Sequence, residues 1–207
     1  MVVLTIWGRI TSINVRKVVW AAQELGLAFE RTDAGASFGI TRTPDYLAMN
    51  PNALVPTLVD DGFVLWESNT IVRYLCARQA SALLPTDLHP RFDAERWMDW
   101  QQTTLNPAGR EAFIQWFRTP EAQRQPERIA QSVAAMEPLM ALLDRHLASR
   151  DWMLGEAFTV ADIPIACDVH RWFGLPQQRP PRPHVERWFQ AILARPATRG
   201  VLDIPLG

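Results

Sequence analysis

The residues of this chain whose types and spacing could do chemistry fall in three short stretches. Thr11-Ser12-Ile13-Asn14 lies between an apolar run that reads as a strand, Val2 to Trp7, and a helical pattern that begins near Asn14. Ser and Asn are good helix caps, so capping is one reading. The other is that a hydroxyl and an amide face the crevice at the carboxyl end of a parallel strand, where open α/β sheets bind ligands. Val55-Pro56-Thr57 places a proline directly before a strand, which marks a special turn, either cis or trans. Trp66-Glu67-Ser68-Asn69 opens a helix. Ser68 either caps that helix or, with the free amides of its first turn, holds a ligand carboxylate, while Glu67 pairs with a ligand ammonium. A fourth stretch, Phe158-Thr159-Val160-Ala161-Asp162-Ile163, reads as a capping box with Phe158 and Ile163 as its hydrophobic staple, and its expected role is structural.

The elements that must position these residues follow from periodicity. Val15, Val18, Val19, Ala22 and Leu25 recur at helical spacing, and Gly26 stops the helix. Leu27 to Asp33 reads as a second strand, so the opening is a βαβ unit with parallel strands. Ala34 to Asn52 reads as loop with one helical turn at Asp45 to Ala48. Thr57-Leu58-Val59 and Phe63-Val64-Leu65 flank Asp60-Asp61-Gly62, a hairpin signal, and a helix from Glu67 to Gln79 closes the unit. The order β-α-β-(α)-β-β-α matches a thioredoxin-like layer. After a linker with Pro85 and Pro90, only helical patterns remain: 91–117, 127–149, 160–173 and 185–194, with kinks expected at Pro107 and Pro138. The expected architecture is an α/β thioredoxin-like N-terminal domain (1–80), a linker (81–90) and an all-α C-terminal domain (91–207).

Composition narrows the class. The 207 residues are 48% hydrophobic and 21% charged, with a net charge of −1 and no basic stripe, which argues against nucleic acid as a partner. No apolar stretch approaches the roughly 20 residues of a membrane-spanning helix, and the first residues do not resemble a signal peptide, so a cytoplasmic protein is expected. Cys76 and Cys167 read as buried free thiols of a reducing compartment. His89, His146, His170 and His184 show no metal-ligand spacing, and no metal is expected. Lys17 is the only lysine among 21 basic residues.

Together the motifs resemble the cytosolic glutathione transferase superfamily over nearly the whole chain. The resemblance is carried by Ser12-x-Asn14-Val15-x-Lys17, by Asn50-Pro51-Asn52-x-x-Val55-Pro56-Thr57-Leu58 and by Leu65-Trp66-Glu67-Ser68 with Ile71-x-Arg73-Tyr74-Leu75. In the second half it is Leu154-Gly155-x-x-Phe158-Thr159-x-Ala161-Asp162. The serine and asparagine at helix one resemble a bacterial, theta-like or related class. The absence of cysteine there sets aside the cysteine-type classes, glutaredoxins and disulfide oxidoreductases.

The resemblance implies a glutathione site. A cis turn at Val55-Pro56 would pair its main chain with the cysteinyl part of the tripeptide, and Glu67 and Ser68 would hold the γ-glutamyl end. Ser12 would donate to the sulfur if the alignment follows Arg16. Following Lys17 instead, Asn14 takes that role, and Thr11 stands third. Leu54 departs from the Lys or Gln of many relatives, so one contact to a glutathione carboxylate is expected from elsewhere. Ile10, Phe38, Trp100, Thr103, Pro107 and Arg110 would line the pocket of a small hydrophobic electrophile, unless they are ordinary core. The implied activity is thiolate attack by bound glutathione on that electrophile, in a homodimer. The alternatives are glutathione-dependent disulfide or peroxide reduction, an isomerase of the maleylacetoacetate type, or a non-catalytic binding protein of the same fold.

Overall fold

The first strand, β1 (Leu4–Trp7), buries Leu4 and Ile6 and leaves Thr5 and Trp7 half-buried, the alternation that a pleated strand imposes. In this computed structural model the described residues are 4–206, and Val2 and Val3 of the expected strand lie outside them. β2 (Phe29–Thr32) pairs with β1 in parallel, as the crossover helix α1 (Ile13–Glu24) requires. β3 (Thr57–Asp60) pairs antiparallel with β1 and with β4 (Phe63–Trp66), giving the strand order β2-β1-β3-β4. Asp61 and Gly62 both have positive φ (49° and 80°), the two-residue hairpin turn that suits the twist of its strands.

α1 and α3 (Ser68–Arg78) pack together and bury Val15, Val18, Val19, Ile71, Val72, Leu75 and Cys76 with Ile6 and Leu58. Side chains alternate across a strand, so Trp7 points away from that layer; it meets Tyr46 of the short helix α2 (Pro44–Met49) edge-on at 6.1 Å. The compact unit that runs to Leu84 also takes back Ala197–Pro205, a return for which the sequence offered no signal.

The other unit is Pro85–Pro196 with Leu206. It contains α4 (Leu88–Trp100), α5 (Asn106–Phe117), α6 (Pro126–Leu147), α7 (Asp162–Phe173) and α8 (Pro183–Leu193). The expected break at Pro107 is a π-helical stretch, Gln101–Leu105, between α4 and α5, while α6 runs on through Pro138. α7 is buried along most of its length. Its start is held by Asp162, whose carboxylate accepts from Met153 N and Thr159 N at 2.9 Å each, from Thr159 Oγ1 at 3.3 Å and from Trp188 Nε1 at 2.9 Å. Thr159 Oγ1 accepts from Ala161 N at 3.3 Å rather than from Asp162 N, so one half of the expected capping box forms, Asp162 back to Thr159 N, and the carboxylate also reaches Met153 and α8. Among the described residues no helix is long and apolar enough to cross a membrane.

Candidate active site

The turn before β3 is built by a closed set of hydrogen bonds. Tyr46 Oη donates to Leu54 O at 2.7 Å and lies 2.9 Å from Thr57 Oγ1. Asn50 Nδ2 donates to Leu54 O at 3.0 Å and to Thr57 Oγ1 at 3.1 Å, while Asn50 Oδ1 accepts from Asn52 N at 3.1 Å. These bonds fix the residues around the Val55-Pro56 peptide, which is cis. Val55 itself is left over: its N–H and C=O bond to no other described main-chain group. An unpaired main chain at the end of a strand is what an added peptide strand uses.

Two glycines let this turn approach the start of α1. Gly8 has φ 146°, and a Cβ there would stand 2.5 Å from Val15 Cγ2 and 3.0 Å from Val55 Cβ. Gly35 has φ 81°, with Arg9 Nη1 3.2 Å and Val55 Cγ1 3.4 Å from the position of its missing Cβ. Val55 therefore rests on the end of β1 and beside the first turn of α1.

At that first turn Ser12 is the residue before the helix, is buried, and makes no side-chain capping bond. Its N–H donates to Arg9 O at 3.1 Å. The capping reading of Ser12 is therefore excluded, and its hydroxyl is left to donate elsewhere. Asn14 lies in the first turn of α1 with its Oδ1 buried and accepting no hydrogen bond among the described residues. No acidic side chain occupies the first turn, so the positive end of the helix is not offset locally.

The start of α3 is the third piece. Glu67 precedes the helix with φ 71° and ψ 108°, a left-handed backbone that a non-glycine residue adopts at a cost of about 1–3 kcal/mol. It leaves the carboxylate exposed and without an ion pair among the described residues, at the start of α3. Ser68 begins the helix instead of capping it, and its Oγ lies 3.5 Å from Nζ of the fully buried Lys17. Through Lys17 and Val15 of α1, the structure brings Ser12, Asn14, Val55-Pro56 and Ser68 into one neighbourhood.

Ile10 and Phe38 flank it on two loops, Ile10 half-buried in the turn before α1 and Phe38 half-exposed after Gly35. Trp100, Thr103, Pro107 and Arg110 belong to the other unit. They fall on successive turns of the α4–π–α5 stretch; Thr103, Pro107 and Arg110 are exposed there, and Trp100 packs edge-on against Trp97 at 5.3 Å. Neither cysteine is placed for nucleophilic work: both are buried, and burial pushes the Cys76 thiol up to about 12.

Comparison with known proteins decides the family. Residues 2–77 match the family description "Glutathione S-transferase, N-terminal domain" and residues 126–191 "Glutathione S-transferase, C-terminal domain". Glutathione S-transferase GstB of Escherichia coli strain K12 is 44% identical over 206 residues, 98% of this chain and 99% of that protein. The chain belongs to the glutathione S-transferase family. Glutathione S-transferase 3 of Zea mays is 32% identical over 220 residues, 100% of this chain and 96% of that protein. The crystal structure of the theta class glutathione S-transferase from the citrus canker pathogen Xanthomonas axonopodis pv. citri, with glutathione bound, superposes with a TM-score of 0.96 at 42% identity and covers 100% of both chains. The protein is thus an enzyme, a glutathione transferase with glutathione as co-substrate.

Three residues that shape this transferase's site escaped sequence reasoning as contributors. Tyr46 was legible only as part of a helical turn, and Asn50 only as part of a motif. Lys17, also quoted only within a motif, gave one signal: it is the sole lysine, set among apolar residues of a helix face that must be buried.

Proposed function

We propose that Val55, Pro56, Glu67 and Ser68 bind glutathione and that Ser12 activates its thiol for attack on a small hydrophobic electrophile. The observation that carries this reading is the unspent main chain of Val55 beside an unspent hydroxyl, that of Ser12. The tripeptide adds as a short strand at Val55. Its γ-glutamyl carboxylate takes the Ser68 hydroxyl and the amides of the first turn of α3, and its ammonium pairs with Glu67. That places the cysteinyl sulfur toward the start of α1. A free thiol titrates near 8.5, so little thiolate exists at neutral pH; a hydrogen bond from Ser12 and the positive end of α1 favour the ionised form. The sulfur then forms its bond to the electrophile's carbon, and the leaving group departs with the bonding pair.

Asn14 is the second candidate donor. Its orphaned Oδ1 is an acceptor and suits a ligand N–H, which leaves Ser12 as the group aimed at sulfur. The frame thus falls to the thioredoxin-like domain of 1–80, with Ala197–Pro205 returned to the same compact unit. Ile10 and Phe38 of this unit face the acceptor. The physiological role is detoxification by a cytoplasmic homodimer, which sedimentation at micromolar concentration would test. For the site, glutathione binding and conjugation of a chlorinated nitrobenzene are measured on Glu67→Ala and Ser68→Ala. Weaker binding, and with it slower conjugation at sub-saturating glutathione, is expected of both; retained binding rejects the assignment of the γ-glutamyl pocket.

A further inference from the structure

Arg16 lies in α1, one turn beyond Ser12, and is 2% exposed. Its side chain reaches main-chain carbonyls in two distant places. Nε donates to Ile10 O at 3.1 Å. At the far end of the guanidinium, Nη1 donates to Val201 O at 2.7 Å and Nη2 to Pro205 O at 2.5 Å. Ile204 O lies 3.5 Å from both. The main-chain N–H of the same residue donates to Ser12 O at 2.9 Å. The Arg16 side chain therefore holds the Ile10 end of the turn, the helix's own first bond holding Ser12 O, and ties it to a segment 185 residues along the chain. Gln23, further along α1, adds a second stitch to that segment, donating to Arg199 O at 3.0 Å. Val201 and Leu202 are buried in the unit that contains α1.

We propose that Arg16 is a positioning residue for the thiol step and that the segment Val201–Pro205 is the anchor against which it sets the Ser12 hydroxyl. The proposal rests on the reading that Ser12 donates to the sulfur. The hydroxyl of Ser12 makes no capping bond, so its direction is inherited from the backbone of the turn. The Arg16 side chain grips that backbone at Ile10 O, two residues before Ser12. A displacement of about 1 Å at a catalytic group costs on the order of 100-fold in rate. Only a planar guanidinium with several donors spans Ile10 and 201–205 at once; an ammonium has one centre and cannot.

The test is the ultraviolet thiolate absorbance of bound glutathione titrated against pH, in wild type, Ser12→Ala, Arg16→Met and the double variant. Arg16→Met is expected to raise the apparent thiol pKa by about one unit, a thiolate-to-thiol ratio about tenfold lower at any given pH, with glutathione Kd within about threefold of wild type. The double variant is expected to titrate like Ser12→Ala alone, because Arg16 acts through that hydroxyl. An Arg16→Met protein that titrates like wild type overturns the proposal, and so does a double variant shifted by the sum of the two single shifts. A wild-type titration of Ser12→Ala is a different failure: it rejects the Ser12 reading itself. Should Arg16→Met not fold, Arg16→Lys keeps the charge without the double reach. A raised thiol pKa there supports the proposal and an unshifted one overturns it.

Discussion

The hydroxyls of Tyr46 and Thr57 stand 2.9 Å apart, and their neighbours dictate which one donates. The single proton of Tyr46 goes to Leu54 O at 2.7 Å, so Thr57 donates to Tyr46 Oη and accepts from Asn50 Nδ2. Burial raises the phenol's pKa, and the donated Thr57 bond opposes that rise. Tyr46→Phe leaves Leu54 O short of one donor and Thr57 without its acceptor in a buried place. The expected result is a loss of about 1–3 kcal/mol in urea unfolding, with a weaker glutathione KM and a smaller change in kcat. An unchanged KM would show that the Val55 turn does not depend on this network.

Gly8 is expected to tolerate no side chain. A Cβ at this position meets Val15 Cγ2 at 2.5 Å and Val55 Cβ at 3.0 Å, and its φ of 146° is strained for any L residue. Gly8→Ala must push Val55 away from α1. Isothermal titration should show glutathione affinity falling by tenfold or more, about 1.4 kcal/mol, in a protein that remains folded. Wild-type affinity would mean that Val55 does not place the tripeptide.

Asp162 links the second unit's stability to pH. Burial pushes its carboxyl from 3.8 up to about 6, against the pull of four donors that favour the ionised form. The folded chain holds this proton between those values while the unfolded chain has released it. The contribution is therefore fully present below about 4 and is lost as pH rises through about 6, worth about 3 kcal/mol. His146 runs the other way: burial lowers its pKa from 6.5, so its contribution is present above 6.5 and lost as pH falls below it. Comparing wild type with Asp162→Asn cancels the His146 part. The difference in unfolding free energy should shrink from pH 4 to pH 7; a flat difference would show an unshifted carboxyl.

Ser68 and Glu67 should separate from Ser12 in kinetics. Ser68→Ala removes a hydroxyl from the first turn of α3, and Glu67→Gln removes the exposed charge. Both are expected to raise the glutathione Kd by about tenfold, with kcat at saturating glutathione little changed, because they hold a part of the ligand remote from sulfur. A fall in kcat without a change in Kd would assign them to the chemical step instead.

The elements of the site were legible because each obeys a local rule. The period of Val15, Val18, Val19 and Ala22 set α1, Asp61-Gly62 set the hairpin, and Thr159 with Asp162 set the start of α7. Long-range partners were not legible. Arg16 reaches Val201 and Pro205, and Asp162 reaches Met153 and Trp188, through contacts that no periodicity reports. The π-helical stretch 101–105 was also hidden, since Pro107 predicts a break and does not specify its form. Capping, the plain reading of Ser12 and Ser68, is excluded only by coordinates: both serines satisfy the sequence rule for a cap, and neither makes the bond.

The central claim is that the Ser12 hydroxyl lowers the pKa of bound glutathione. Its most direct test is the pH titration of the bound thiolate in Ser12→Ala beside wild type and Asn14→Ala. An upward shift of about one unit or more is expected in Ser12→Ala, with a matching fall in kcat near neutral pH and little change in glutathione affinity. A Ser12→Ala protein that titrates like wild type, with the shift appearing in Asn14→Ala, would contradict it.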